Sequence, residues 1–224
     1  MDTPVLADAF SWFRTGGWVM YPLLALSLTS VSLIVERSVY WIRTHGGGRG
    51  RRASKIAERA CAGRLDEAAA IAESGDDVYA EFATGLIERA KQTRDRSVVE
   101  AAAQDLAEGS RHSVERFGTV LSTIVTAAPM LGILGTVTGI IRSFRLLDAS
   151  EAAVDPSAVA SGIAEALLTT AFGLMVALIT LFPYALFRAQ ADRCYGRIEA
   201  IAAGVAAAVG SREELSARKG HDAA

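Results

Sequence analysis

"GIAEALLTTAFGLMVALITLF", residues 162–182, has the apolarity of a membrane-spanning helix, yet it opens with Glu165 and carries Thr169 and Thr170. At 1.5 Å per residue it covers about 31 Å, enough to cross a hydrocarbon core. A carboxyl group in such a segment costs about 2.5–3.5 kcal/mol at mid-bilayer and less near an interface. On a helix Glu165 and Thr169 share one face, and Thr170, Gly173, Ala177 and Thr180 form a neighbouring small, hydroxylated stripe. An ionisable group at this depth marks a functional site by default, the plain alternative being a lumen-facing glutamate near the outer interface that stays hydrated. Threonine and glycine in such helices also serve simple close packing.

Two further apolar blocks precede this one, at 17–35 and 120–141. The chain has 224 residues, 51% of them hydrophobic, and the excess gathers in these three blocks. The stretch between the first two is as charged as a soluble protein. This pattern predicts an all-α membrane protein with three transmembrane helices, the longer ones extending into a cytoplasmic helical domain. The expected spans are 17–41, 119–141 and 160–187. Each holds one proline (Pro22, Pro129, Pro183), which neighbouring helices can accommodate. In the second span Gly132, Thr136 and Gly139 align, and Gly135 with Gly139 forms a GxxxG pair that permits close helix approach.

Basic residues set the orientation. Arg37, Arg43, Arg49, Arg51, Arg52, Lys55 and Arg59 follow the first span, and Arg188, Arg193 and Arg197 follow the third. The positive-inside rule therefore places 42–118 and 188–224 in the cytoplasm, and the N-terminus and the 142–159 connection outside. Arg37, Arg51 and Arg52 read as determinants of the inner interface, with the "GRGRR" patch at 48–52 in contact with lipid headgroups.

The opening "MDTPVLADAFSWFRTGG" lacks the form of a secretory signal, and 1–16 reads as an amphipathic helix on the outer face. Within 42–118 the apolar positions predict a helix over about 54–74, a break at "SGDD" and a second helix over 78–91. "SVVE" at 97–100 has the capping-box form. With no proline until Pro129, one continuous helix is expected from near Ser97 through the second span. The third span is expected to continue unbroken past Arg188.

Catalytic chemistry finds no foothold. His45, His112 and His221 are scattered; no P-loop, HExxH or GxSxG occurs; Cys61 and Cys194 read as free structural thiols. A net charge of −2 gives no nucleic-acid footprint. Neither an enzyme nor a cofactor or metal is expected. The remaining readings are an ion-conducting protein, a non-conducting helical membrane scaffold, and a soluble helical protein whose apolar blocks form a core.

Three stretches together, "GGWVMYPLLALSLTSVSLIVER" (16–37), "APMLGILGTVTGIIRSF" (128–144) and "GIAEALLTTAFGLMVAL" (162–178), resemble the MotA/TolQ/ExbB proton-channel family, most closely its ExbB and TolQ branches. One departure is Thr138, where relatives often carry a bulky aromatic residue. The resemblance implies a homo-pentameric ring whose second and third helices line a pore in the bacterial inner membrane. It implies an ExbD- or TolR-like single-span partner with one titratable aspartate, and a TonB- or TolA-like protein beyond it, with proton flow energising transport at the envelope. It places Glu165 at the family's pore glutamate, Thr136 and Thr170 at its two pore threonines, and Glu36–Arg37 at the end of the first helix.

Overall fold

The computed structural model describes residues 17–45, 48–93, 95–148 and 156–221. The expected helix at 1–16 lies outside these residues. The described residues form seven helices and no strand: α1 (Met20–His45), α2 (Arg49–Cys61), α3 (Leu65–Glu73), α4 (Val78–Gln92), α5 (Arg96–Val114), α6 (Gly118–Asp148) and α7 (Pro156–His221). Three stretches are long and apolar enough to cross a membrane: Met20–Thr44, Gly118–Arg145 and Val159–Arg212. The chain divides into two compact units, one comprising 1–36 and 117–186, the other 37–116 and 187–224.

The first unit packs α1, α6 and the first part of α7. Its buried core is small and aliphatic: Val19, Met20, Leu23, Ile124, Ala128, Val176 and Ala177, flanked by Leu26, Leu131 and Phe172. Aliphatic burial gives helices little drive to associate in lipid, so shape and polar contacts must hold them. Glycine supplies the shape. A β-carbon on Gly132 would stand 3.0 Å from the Thr170 Cα, and one on Gly139 would stand 2.9 Å from the Ala166 Cβ. A β-carbon on Gly173 would meet the Ala128 carbonyl at 2.5 Å. A buried hydroxyl pair ties α1 to α7: Ser30 Oγ lies 2.6 Å from Thr180 Oγ1. Thr180 already donates to the Val176 carbonyl at 2.7 Å, so Ser30 is the donor. Pro22 falls in the first turn of α1, where no intrahelical N–H bond is lost, whereas Pro129 and Pro183 are interior.

The second unit is held by a conventional core. Trp41, Ile56, Leu65, Tyr79, Phe82, Leu86, Val99, Ile198, Ile201 and Val205 are all buried in it. Asp77, itself buried, caps α4 by accepting from the Tyr79 and Ala80 amides at 3.1 and 3.0 Å, and its second oxygen pairs with Arg52. Burial pushes the Tyr79 phenol well above its ordinary value, so it stays neutral and accepts from Arg197 Nη1 at 3.2 Å.

Helix ends differ from expectation at three places. The 54–74 helix is two, α2 and α3, because Gly63 takes φ 74° and stops the first. The cap of α5 is Asp95, whose carboxylate accepts from the Ser97 amide at 2.8 Å; Ser97 itself lies inside the helix. The continuous helix from Ser97 is broken as well, since α5 ends at Val114 and Phe117 adopts φ 63° before α6 begins. That left-handed conformation costs a non-glycine residue about 1–3 kcal/mol. Long-range contacts fix the stop. Arg37 Nη1 donates to the Ser113 and Val114 carbonyls at 3.0 and 3.4 Å, and Tyr195 Oη donates to Glu115 at 3.1 Å. By contrast α7 runs unbroken past Arg188, as expected, and continues beyond the expected end near Val209 to His221, 66 residues in all.

Candidate functional site

Within the first unit, α6 and α7 run side by side through a contact made almost entirely of glycine, alanine and threonine. From α6 come Gly132, Gly135, Gly139 and Ser143, spaced so that each faces the partner helix. From α7 come Gly162, Ala166, Thr169, Thr170 and Gly173. The Thr170 hydroxyl reaches across and donates to the Gly132 carbonyl at 3.0 Å. Thr169 is buried, with 1% exposure, against Gly135, and returns its proton to the Ala166 carbonyl at 2.7 Å. Its hydroxyl therefore sits in the helix contact rather than at a free surface. Thr136 lies between buried Gly135 and exposed Val137, at the edge of that contact, and donates to the Ile133 carbonyl at 2.7 Å.

Glu165 flanks this seam near the end formed by Ser143 and Gly162. Its side chain is mostly buried, and both carboxylate oxygens accept from Nη1 of Arg142, at 3.0 and 3.3 Å. A third element reaches the same spot: Gly17, with φ 68°, stands where a β-carbon would overlap the carboxylate. From this ion pair to the Thr170–Gly132 bond is about 15 Å along α6, taking the rise per residue between Arg142 and Gly132. The seam thus carries, in order, an ion pair, a half-buried hydroxyl at Thr136 and a cross-helix hydroxyl at Thr170.

The sequence drew attention to Glu165, Thr136, Thr169 and Thr170, and to Gly132, Gly135, Gly139 and Gly173; all eight lie along this one contact. Arg142 was missed, because the second span was expected to end at 141 and α6 runs on to Asp148. Its spacing from Gly139 and Gly135 on the helix was the available signal. The basic residues assigned to the inner interface fall elsewhere, in the second unit. Arg51 is exposed, Arg52 pairs with Asp77, and Arg37 is buried with its guanidinium 4.6 Å from the Tyr40 ring centre while it caps α5. Among the described residues no cluster of three or more His, Cys, Asp or Glu is placed to hold a metal ion. Cys61 is exposed and Cys194 buried, both as free thiols.

Residues 74–200 match the model of the MotA/TolQ/ExbB proton channel family. The chain belongs to that family. Among its relatives is a putative biopolymer transport protein ExbB-like 3 from Synechocystis, 34% identical over 187 residues, covering 82% of this chain and 87% of the relative. Biopolymer transport protein exbB1 of Vibrio cholerae is 30% identical over 185 residues, covering 82% of this chain and 80% of that one. The Tol-Pal system protein TolQ of Pseudomonas aeruginosa is 42% identical over a shorter stretch of 77 residues, 34% of this chain and 33% of its own. The similarity is thus to the ExbB and TolQ branch, and this ExbB/TolQ-like chain is a membrane protein with three spanning helices.

Proposed function

We propose that the chain is the ring subunit of a proton-driven motor in the bacterial inner membrane, built as a homo-pentamer. Its N-terminus faces the periplasm and its C-terminus the cytoplasm. In this reading α6 and α7 of successive copies line a water-bearing path, and a single-span ExbD- or TolR-like partner brings one titratable aspartate into it. That partner's outer domain passes work to a TonB- or TolA-like protein, so that proton entry energises transport at the envelope. The chain catalyses no covalent chemistry and takes no cofactor.

The observation that supports this most is Glu165. A carboxyl group paired with Arg142 and packed against Gly17 inside a membrane-spanning unit is costly unless it is used. Thr136 and Thr170 add uncharged oxygens further along, which meet a partner carboxyl in either protonation state. One proton crossing about 100 mV yields about 2.3 kcal/mol, enough to bias one conformational step. Thr136→Val and Thr170→Val, singly and together, are expected to insert and assemble like the parent but to lose gradient-driven transport. Parental transport in the double variant overturns the proposal.

One observation favours a second reading. Thr169 and Thr170 both spend their hydroxyl protons on backbone carbonyls in the helix contact, as the packing residues of a non-conducting scaffold would. A scaffold keeps its function when an uncoupler collapses the proton gradient; a motor subunit stops.

A further inference from the structure

An ion pair within the apolar unit is a poor way to stabilise it. Along the same seam Gly139 meets Ala166, Gly135 meets Thr169 and Gly162 meets Ser143 with no charge at all, so the helix contact is complete without the ion pair. Exposed ion pairs contribute little, about 0–1 kcal/mol, while each charge carries a desolvation cost near lipid. Arg142 is itself more than half exposed, whereas Glu165 is mostly buried. One guanidinium nitrogen spans both carboxylate oxygens, so the two charges cancel at short range. Against the carboxylate stand Arg142 from α6 and the backbone of Gly17 ahead of α1.

We propose that Arg142 is a specificity-determining residue: it cancels the Glu165 charge, so the mouth of the path offers no bare ring of carboxylates to metal cations. This rests on the pore reading given above. Five uncompensated carboxylates around one opening would focus a negative potential and concentrate Na⁺ and K⁺ there, an effect on the order of tenfold or more for clefts of one charge sign. Arginine suits the task because it stays charged throughout the physiological range and its donors hold a carboxylate at fixed geometry. Protons still pass, since they need only water and exchangeable oxygens.

The test uses the chain purified together with its single-span partner and reconstituted in vesicles, with H⁺ and Na⁺ influx recorded separately. Four variants are compared: R142Q, R142K, E165Q and R142Q/E165Q. R142Q is expected to raise Na⁺ influx about tenfold or more, R142K to stay near the parent, and R142Q/E165Q to return to the parental Na⁺ level because no bare carboxylate remains. A merely structural role for Arg142 would lower both fluxes together and would not be reversed by removing Glu165. Parental Na⁺ influx in R142Q, or raised influx persisting in R142Q/E165Q, overturns the inference while leaving the pore reading intact if E165Q still cuts H⁺ influx. Should E165Q leave H⁺ influx untouched, the pore reading falls and this inference with it. If R142Q fails to assemble, the neutral double variant and R142K decide the matter, with raised Na⁺ influx in either counting against it.

Discussion

The Glu165 carboxylate occupies the space that a β-carbon on Gly17 would fill, and Gly17 holds φ 68°, a conformation open to glycine and disfavoured for other residues. Gly17→Ala therefore combines two penalties. The left-handed backbone alone costs about 1–2 kcal/mol, and the carboxylate must also leave its position beside Arg142. The variant is expected to insert normally, to unfold at lower denaturant in mixed micelles and, on the pore reading proposed above, to conduct protons poorly. Parental flux together with parental stability in Gly17→Ala would show that Glu165 has ample room elsewhere.

Ser30 and Thr180 test whether a polar contact between α1 and α7 matters inside an apolar unit. Hydrogen bonds between membrane helices average about 0.6 kcal/mol and reach about 1.7. The pair here is short and buried, and Thr180 keeps its own donation to Val176 when Ser30 is removed. Ser30→Ala is expected to cost about 1 kcal/mol, toward the upper part of that range. In a double-mutant cycle with Thr180→Val the coupling is expected to account for most of that loss. Strict additivity of the two single losses would show that the hydroxyls merely sit close together.

The three spans, the unbroken course of α7 and the glycine–threonine seam were legible because each is a local pattern: length with apolarity, or small residues recurring at helical spacing. The features that escaped are those where one residue depends on another far away in sequence. Phe117 carries no composition signal of a helix stop; the stop is held by Arg37, 76 positions from Ser113, and by Tyr195. Arg37 reads as a topology signal because it heads a run of basic residues after an apolar span, and nothing local announces that it is also buried against the carbonyl end of α5. Two misses had local clues. Gly63 could have been read as the end of α2, and Asp95 two positions ahead of Ser97 was the better cap.

Asp77 offers a way to separate capping from charge in the second unit. Its Oδ1 accepts from the Tyr79 and Ala80 amides while Oδ2 faces Arg52 and Arg49, the latter at 3.7 Å. Asparagine caps as well as aspartate, so Asp77→Asn removes only the charge pairing. Asp77→Ala removes both and leaves two donors and a guanidinium poorly satisfied, a loss of about 2 kcal/mol or more. Hydrogen exchange at the Tyr79 and Ala80 amides is expected to rise markedly in the alanine variant and only slightly in the asparagine variant. Equal exchange in both would assign the stabilisation to the ion pairs instead of the cap.

Phe117 sits at the junction of α5 and α6, and its left-handed backbone can be examined by comparing two truncations that both remove the ring. Phe117→Ala keeps a β-carbon and so keeps the strain. Phe117→Gly removes it, at the cost of a more flexible unfolded chain. Relief of the left-handed penalty is about 1–2 kcal/mol and the added chain entropy offsets up to about 1, so the glycine variant is expected to be the more stable by several tenths to about 1 kcal/mol. In an ordinary right-handed helix the order reverses, with alanine ahead by a similar amount. Unfolding of the two variants side by side thus reports on the backbone at this one position. Alanine ahead of glycine would mean that α5 and α6 join into the single long helix the sequence suggests, and that Arg37 and Tyr195 have lost their hold on the stop.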